Sequence, residues 1–202
     1  MPTAATIYEA LNLYQGNFRK PSLTVYVMDF SGSMSGTGET QVKEALAPVL
    51  QQENARINLL QASENDVNVL IPFSDYIWRS YKSIGNKIQI ENLYKEANKL
   101  NANGGTDVYK GLNSALDTLK GYELNKYQTA IILMTDGQSS TSKRGKFISD
   151  YTELKLDIPV FSIMFADADP NQLEELATLT NARVFDGRKD LIDAFRKVKG
   201  YN

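Results

Sequence analysis

The chain contains no cysteine and no histidine in 202 residues. The first absence removes disulfides, thiolate nucleophiles and cysteine zinc sites. The second removes imidazole as metal ligand and general base, and with it most hydrolase mechanisms. An excess of one charge is missing too: 22 Lys and Arg stand against 24 Asp and Glu, a formal net charge of −2. Such a chain carries no electrostatic footprint for nucleic acid or for an anionic membrane, so neither is expected as a partner. No run approaches the ~20 apolar residues needed to cross a bilayer, and Met1 to Lys20 shows neither the basic start nor the apolar stretch of a secretory leader. Internal repeats and low-complexity segments are also lacking.

With 42% hydrophobic and 23% charged residues, 202 positions suffice for one domain with a core of its own. Ile7, Leu11 and Tyr14 recur at helical spacing within residues 5–15, before Gly16 and Pro21 interrupt the pattern. Residues 1–21 are therefore expected to be a leading helix and linker, of the kind an upstream domain would leave as a remnant, with the domain proper over 22–199. From Ser22 onward strand-like and helix-like stretches alternate. Strands are expected at 23–28 (LTVYVM), 66–73 (DVNVLIPF), 76–81, 129–134 (TAIILM), 159–165 and 182–185. Helices are expected at 41–60, 90–100, 108–119, 145–156, 171–179 and 191–198. The 66–73 and 76–81 runs are close enough for an antiparallel hairpin. The other strands need crossover helices, and right-handed crossovers put helices on both faces of a parallel sheet. The expected class is α/β: a doubly wound, mostly parallel six-stranded sheet with an antiparallel edge strand.

Three stretches at strand ends carry small oxygen-bearing side chains. Asp29, Ser31 and Ser33 follow the first strand, Thr106 follows Gly104-Gly105, and Asp136 follows the apolar 129–134 run. Ligands of open α/β sheets gather at the carboxyl ends of strands. Two carboxylates and three hydroxyls are hard donors, suited to Mg²⁺, Mn²⁺ or Ca²⁺ and poorly suited to zinc or copper. Taken singly, each motif has an ordinary explanation, since Ser, Thr and Asp favour helix N-caps and Gly favours turns. Their joint occurrence at three strand ends favours a shared metal site. Asp29, Ser31 and Ser33 alternate along the chain and can direct oxygens to one side of a loop.

Asp29-x-Ser31-x-Ser33, Thr106 in G-G-T-D and Asp136 in T-D-G resemble the von Willebrand factor type A domain and its metal-ion-dependent adhesion site, over residues 22 to about 199. The resemblance implies a doubly wound sheet with a short antiparallel edge strand, no enzymatic activity, and a partner protein presenting Asp or Glu. It also implies that Ser31, Ser33 and Thr106 bind the cation directly or nearly so, and that Asp29 and Asp136 act directly or through water. An ion held by three neutral hydroxyls and two carboxylates stays electrophilic, and an incoming carboxylate can replace a water on it. Candidate rim residues are Met34, Ser35, Thr37, Glu39, Asp75, Tyr76, Asp107, Gln138 and Ser139, with Asp107 expected to orient Thr106. In some family members the last helix shifts on ligand binding; residues 191–198 would be its counterpart.

Two enzyme readings remain beside the binding one. A nucleotide site is disfavoured because the glycines at 32, 36 and 38 form no phosphate loop and Glu39 sits where a cation would help. A metal-dependent hydrolase of phosphates or esters would have to use a carboxylate or lysine base, and no recognisable set of these occurs. The 191–202 ending and the L-N-L-Y-Q stretch resemble bacterial proteins in which such a module follows a solute-binding-like domain. That likeness implies a cell-envelope or extracellular location; composition equally permits a cytoplasmic one.

Overall fold

Residues 22–29 (SLTVYVMD) are rich in β-branched and apolar side chains and are buried on both faces, and they form the first strand, β1 (Ser22–Asp29). Val25 and Val27 face one side of the sheet, Tyr26 and Met28 the other. The computed structural model describes residues 19–58, 60–136, 139–155, 157–165 and 170–187, together with Phe195 and Thr3, Thr6, Glu9, Ala10, Leu13 and Tyr14. After β1 come a short 3₁₀ turn (Gly32–Met34), α1 (Thr37–Leu50), α2 (Gln52–Ile57), β2 (Val67–Phe73), β3 (Tyr81–Ile84), α3 (Lys87–Asn98) and α4 (Val108–Leu119). The remaining elements are β4 (Gln128–Thr135), α5 (Arg144–Glu153), β5 (Val160–Met164), α6 (Pro170–Leu179) and β6 (Val184–Asp186).

The six strands lie in the order β3-β2-β1-β4-β5-β6, all parallel except β3, which runs antiparallel to β2. Strand order reverses at β1, which has β2 on one side and β4 on the other. One core packs α1, α2 and α3 on the Tyr26 and Met28 face; the second packs α4, α5 and α6 on the Val25 and Val27 face. Within the second core, Gly111 of α4 sits so close to the sheet that a Cβ there would lie 2.8 Å from Val27 and 2.9 Å from Phe73. The doubly wound α/β class follows from this arrangement.

Two local expectations differ from what is found. Residues 76–80 are not a strand: Phe73 and Ile77 share one isolated bridge, and the antiparallel edge strand begins at Tyr81. The Ser74 N–H bonds the Tyr76 carbonyl at 2.8 Å, and Tyr76 and Trp78 stack at 4.4 Å beside Phe30, so this segment is folded into a turn with an aromatic cluster. The helix expected over 41–60 begins earlier and is broken at Gln51, whose ψ of 104° is extended. Near that break Pro48 donates no backbone N–H, and the Gln52 side-chain amide bonds the Val49 carbonyl at 3.2 Å. Other boundaries move by up to three residues, with 108–119 reproduced as expected. The expected leading helix at 5–15 and last helix at 191–198 lie mostly outside the described residues. Of the latter Phe195 is described, and it is buried in the first core.

Candidate metal centre

Asp29 and Asp136 end β1 and immediately follow β4, the two strands that meet where strand order reverses, so both carboxylates arrive at the carboxyl edge of the sheet. Asp29 is fully buried and Asp136 is 7% exposed. The Asp29 carboxylate accepts two hydrogen bonds, from the Ser31 N–H at 2.8 Å and from the Thr135 hydroxyl at 2.6 Å. The first follows from Asp29-x-Ser31 folding back on itself as an Asx-type turn. Burial pushes the pKa of Asp29 up to about 6; the Ser31 and Thr135 bonds oppose this, and the negative charge of Asp136 adds to it. Oδ1 of Asp136 is buried without a hydrogen-bond partner, and neither carboxylate joins an ion pair among the described residues.

The hydroxyls of Ser31 and Ser33 stand 3.1 Å apart, with Ser31 buried and Ser33 exposed. Hydrogen bonds between loops carry Thr106 to the same edge. The Gly32 N–H donates to the Gly104 carbonyl at 2.9 Å, and the Asn103 N–H to the Phe30 carbonyl at 2.8 Å. Gly104 adopts φ +80°, and a Cβ on it would lie 2.6 Å from Asp75 Oδ1, so only glycine permits this approach. Thr106 is half-buried, and its carbonyl accepts from the Ser140 N–H at 3.2 Å, which ties its loop to the one after Asp136. Asp29, Ser31 and Ser33 are thus in direct or near contact. Asp136 is coupled to Asp29 by charge, and Thr106 is brought to this edge by backbone bonds rather than by a side-chain contact to the others.

A hard divalent cation fits this donor set. Two buried carboxylates, one oxygen of which has no partner, lie beside two adjoining hydroxyls, and among the described residues no ammonium or guanidinium neutralises them. Acidic side chains do not gather in threes among the described residues, in keeping with a set in which hydroxyls outnumber carboxylates.

The expected rim is only partly a rim. Ser35, Thr37, Asp75 and Tyr76 are exposed, and the Tyr76 hydroxyl reaches Asn103 Oδ1 at 3.0 Å. Met34 is instead fully buried in the first core. Asp107 caps α4, its carboxylate accepting from the Lys110 N–H at 3.0 Å, and Ser139 takes the Val108 N–H at 2.7 Å. Both therefore orient the helix that follows Thr106. Glu39 bonds Lys43 at 2.6 Å and the Ala102 N–H at 2.7 Å, and Lys43 also reaches the Leu100 carbonyl at 2.7 Å. Burial alone would raise the pKa of Glu39, but the Ala102 N–H and the Lys43 charge outweigh it and hold it below the ordinary value. Glu39 is a staple between α1 and the 100–103 loop. Gln138 lies outside the described residues. Thr135, missed in sequence, was signalled only by its place in the M-T-D-G run.

Residues 25–193 match the von Willebrand factor type A domain, and the chain belongs to that family. No curated protein matches it in sequence. Among solved structures it is similar to a von Willebrand factor type A protein from Catenulispora acidiphila, with 18% identity and a TM-score of 0.70, covering 89% of this chain and 42% of that one. It is also similar to the pilus adhesin SpaC from Lactobacillus rhamnosus GG, with 16% identity and a TM-score of 0.68 over 93% of this chain and 31% of that one. A third similarity is to the manganese-loaded TRAP protein of Plasmodium vivax, at 17% identity and TM-score 0.62, over 87% and 73% of the two chains. The chain thus spans less than half the length of the first two. Among its described residues, no helix is long and apolar enough to cross a membrane.

Proposed function

We propose that this domain is a non-enzymatic, metal-dependent protein-binding module of the adhesion or assembly kind. Asp29, Ser31, Ser33, Thr106 and Asp136 would hold Mg²⁺, or Mn²⁺ or Ca²⁺ in its place, and the partner would present an Asp or Glu. The observation that carries this reading is the pair of buried, mutually repelling carboxylates at the strand-order reversal, with Asp136 Oδ1 unpartnered and, among the described residues, no cationic side chain beside either. Burying such a charge pair without compensation is costly, and a divalent cation is the compensation its hard oxygens suit.

When bound, the ion supplies Lewis-acid affinity for an additional carboxylate oxygen. The chain's own residues prepare for that. The Ser31 N–H and the Thr135 hydroxyl hold the Asp29 carboxylate in one orientation. The Gly32–Gly104 and Thr106–Ser140 bonds keep three loops in register, and exposed Ser33, Ser35, Thr37, Asp75 and Tyr76 line the surface an approaching protein would meet. The family membership, a likeness to a pilus adhesin and a manganese-loaded neighbour support the reading. A place at the cell envelope or outside the cell fits the same role.

Calorimetric titration tests it. Mg²⁺ or Mn²⁺ should bind one-to-one to the wild-type domain and not to Asp136→Ala or Ser31→Ala proteins that keep the wild-type circular dichroism spectrum. Absence of uptake by the wild type, or phosphatase or esterase turnover that Asp29→Ala abolishes, would overthrow it.

A further inference from the structure

Between α4 and the entry of α5 lies a groove of about 550 Å³, a volume in the range of ligand-binding clefts. Its walls include Ile77 from the β2–β3 connection, Lys110, Asn113 and Asp117 from α4, and Lys143 and Lys146 at the start of α5. Its charge runs against the chain's overall −2. Lys110, Lys143 and Lys146 share the lining with one carboxylate, Asp117, and Lys120 and Asp150 lie beside it. Lys120 bonds Asp117 at 2.8 Å and lies 3.6 Å from Asp150, which also pairs with Lys146. The Lys110 ammonium is bonded to the Asp75 carbonyl, which brings no negative charge. Among the described residues Lys110 and Lys143 join no ion pair, and they flank an opening with an apolar wall at Ile77.

Asn113, 7% exposed, contributes to the floor. Its amide nitrogen donates to the Tyr109 carbonyl at 2.7 Å and the Lys143 carbonyl at 3.4 Å, and its oxygen is left without a partner. The groove also adjoins the candidate metal centre. Ile77 follows the exposed Asp75 and Tyr76, and the Lys110 N–H is bonded to Asp107, the residue after Thr106.

We infer that this groove receives an extended acidic segment of the same partner protein, lying beside the carboxylate offered to the metal centre; this rests on the binding reading above. Glutamate or aspartate side chains meet Lys110, Lys143 and Lys146, a backbone N–H of the segment answers the Asn113 oxygen, and Ile77 takes an apolar contact. The metal centre selects a single carboxylate, and the groove selects the acidic chain around it. Charge complementarity of this kind fixes orientation and speeds encounter.

Fluorescence polarisation with labelled hexaglutamate at low ionic strength separates the two sites. In EDTA any affinity reports the groove alone, and Lys143→Glu/Lys146→Glu should weaken it roughly tenfold or more, with Lys143→Gln/Lys146→Gln intermediate. Both pairs alter exposed positions, and each variant should take up Mg²⁺ in calorimetry as the wild type does. Hexaglutamate binding that requires Mg²⁺, or that is unchanged in both variants, would overturn the inference. Displacement by inorganic tripolyphosphate at concentrations below those of the peptide would also overturn it, assigning the groove to phosphates. Failure of wild-type Mg²⁺ uptake with groove binding intact would instead strike the metal reading on which the shared partner depends.

Discussion

Asp66 and Asp29 lie at opposite ends of one parallel sheet, each almost fully buried, and their charges are handled in opposite ways. At the amino end, Asp66 accepts the Ser22 N–H at 2.7 Å, the Ser63 N–H at 2.8 Å and the Arg19 guanidinium at 2.6 Å. Burial alone would raise its pKa, yet the two N–H groups and the Arg19 charge overcome burial and lower it. At the carboxyl end, Asp29 has among the described residues two donors, no cation and a second carboxylate close by, and its pKa rises to about 6. The amino end is electrostatically closed by the chain itself. Among the described residues the carboxyl end keeps its negative charge unbalanced, which is what the proposed metal centre requires.

Breaking the closed end should cost most. Asp66→Ala removes the acceptor for two N–H groups and strands a mostly buried Arg19, so urea unfolding should show a loss of about 3 kcal/mol, with Mg²⁺ affinity unchanged. An unaltered midpoint would mean that the amino end is not the clamp described. At the open end, Mg²⁺ at a hundredfold excess over its Kd should stabilise the wild type by about 2.7 kcal/mol and give nothing in Asp136→Ala. Equal metal stabilisation of both proteins would remove Asp136 from the site.

The contrast is also readable in pH, where the two groups act with opposite signs in adjoining windows. The stability from Asp66 is present above its unfolded pKa near 3.8 and is lost as pH falls through its lowered folded value. The metal-free contribution of Asp29 has the other sign: it is present below about 3.8 and lost as pH rises through about 6. Urea unfolding between pH 4 and 7 should show the metal-free domain losing stability with rising pH, a trend flattened in Asp29→Asn and reversed by saturating Mg²⁺. Smallest of all, Glu39→Gln weakens the staple on the 100–103 loop and should cost about 1 kcal/mol, with a modest fall in Mg²⁺ affinity. An effect on stability without one on metal binding would detach that loop from Thr106.

Much of the sheet was legible because its signal is local. Alternation of Val25 and Val27 with Tyr26 and Met28, and the unbroken apolar 129–134 run, state which residues have both faces covered, and the oxygen-bearing residues after them mark the strand ends. The edge strand was misplaced because residues 76–80 have strand-like composition while their backbone closes a turn under an aromatic cluster whose third ring, Phe30, is 46 residues from Tyr76 in sequence order. Glu39 read as a rim carboxylate because its partners Ala102 and Leu100, through Lys43, are equally remote. Nothing in the spacing of Arg19, Ser22, Ser63 and Asp66 announces their meeting.

The sequence by itself determined the alternation of strands and helices, the hardness of the oxygen donors and the absence of imidazole and thiol, because these depend on residue type and on periods of two and 3.6. Tertiary structure alone decided that β1 and β4 are neighbours, that Asp29 and Asp136 repel across that junction, and that Asp66 finds its arginine while they do not. Which charges are neutralised depends on through-space distance and burial, and both are set only when distant segments pack.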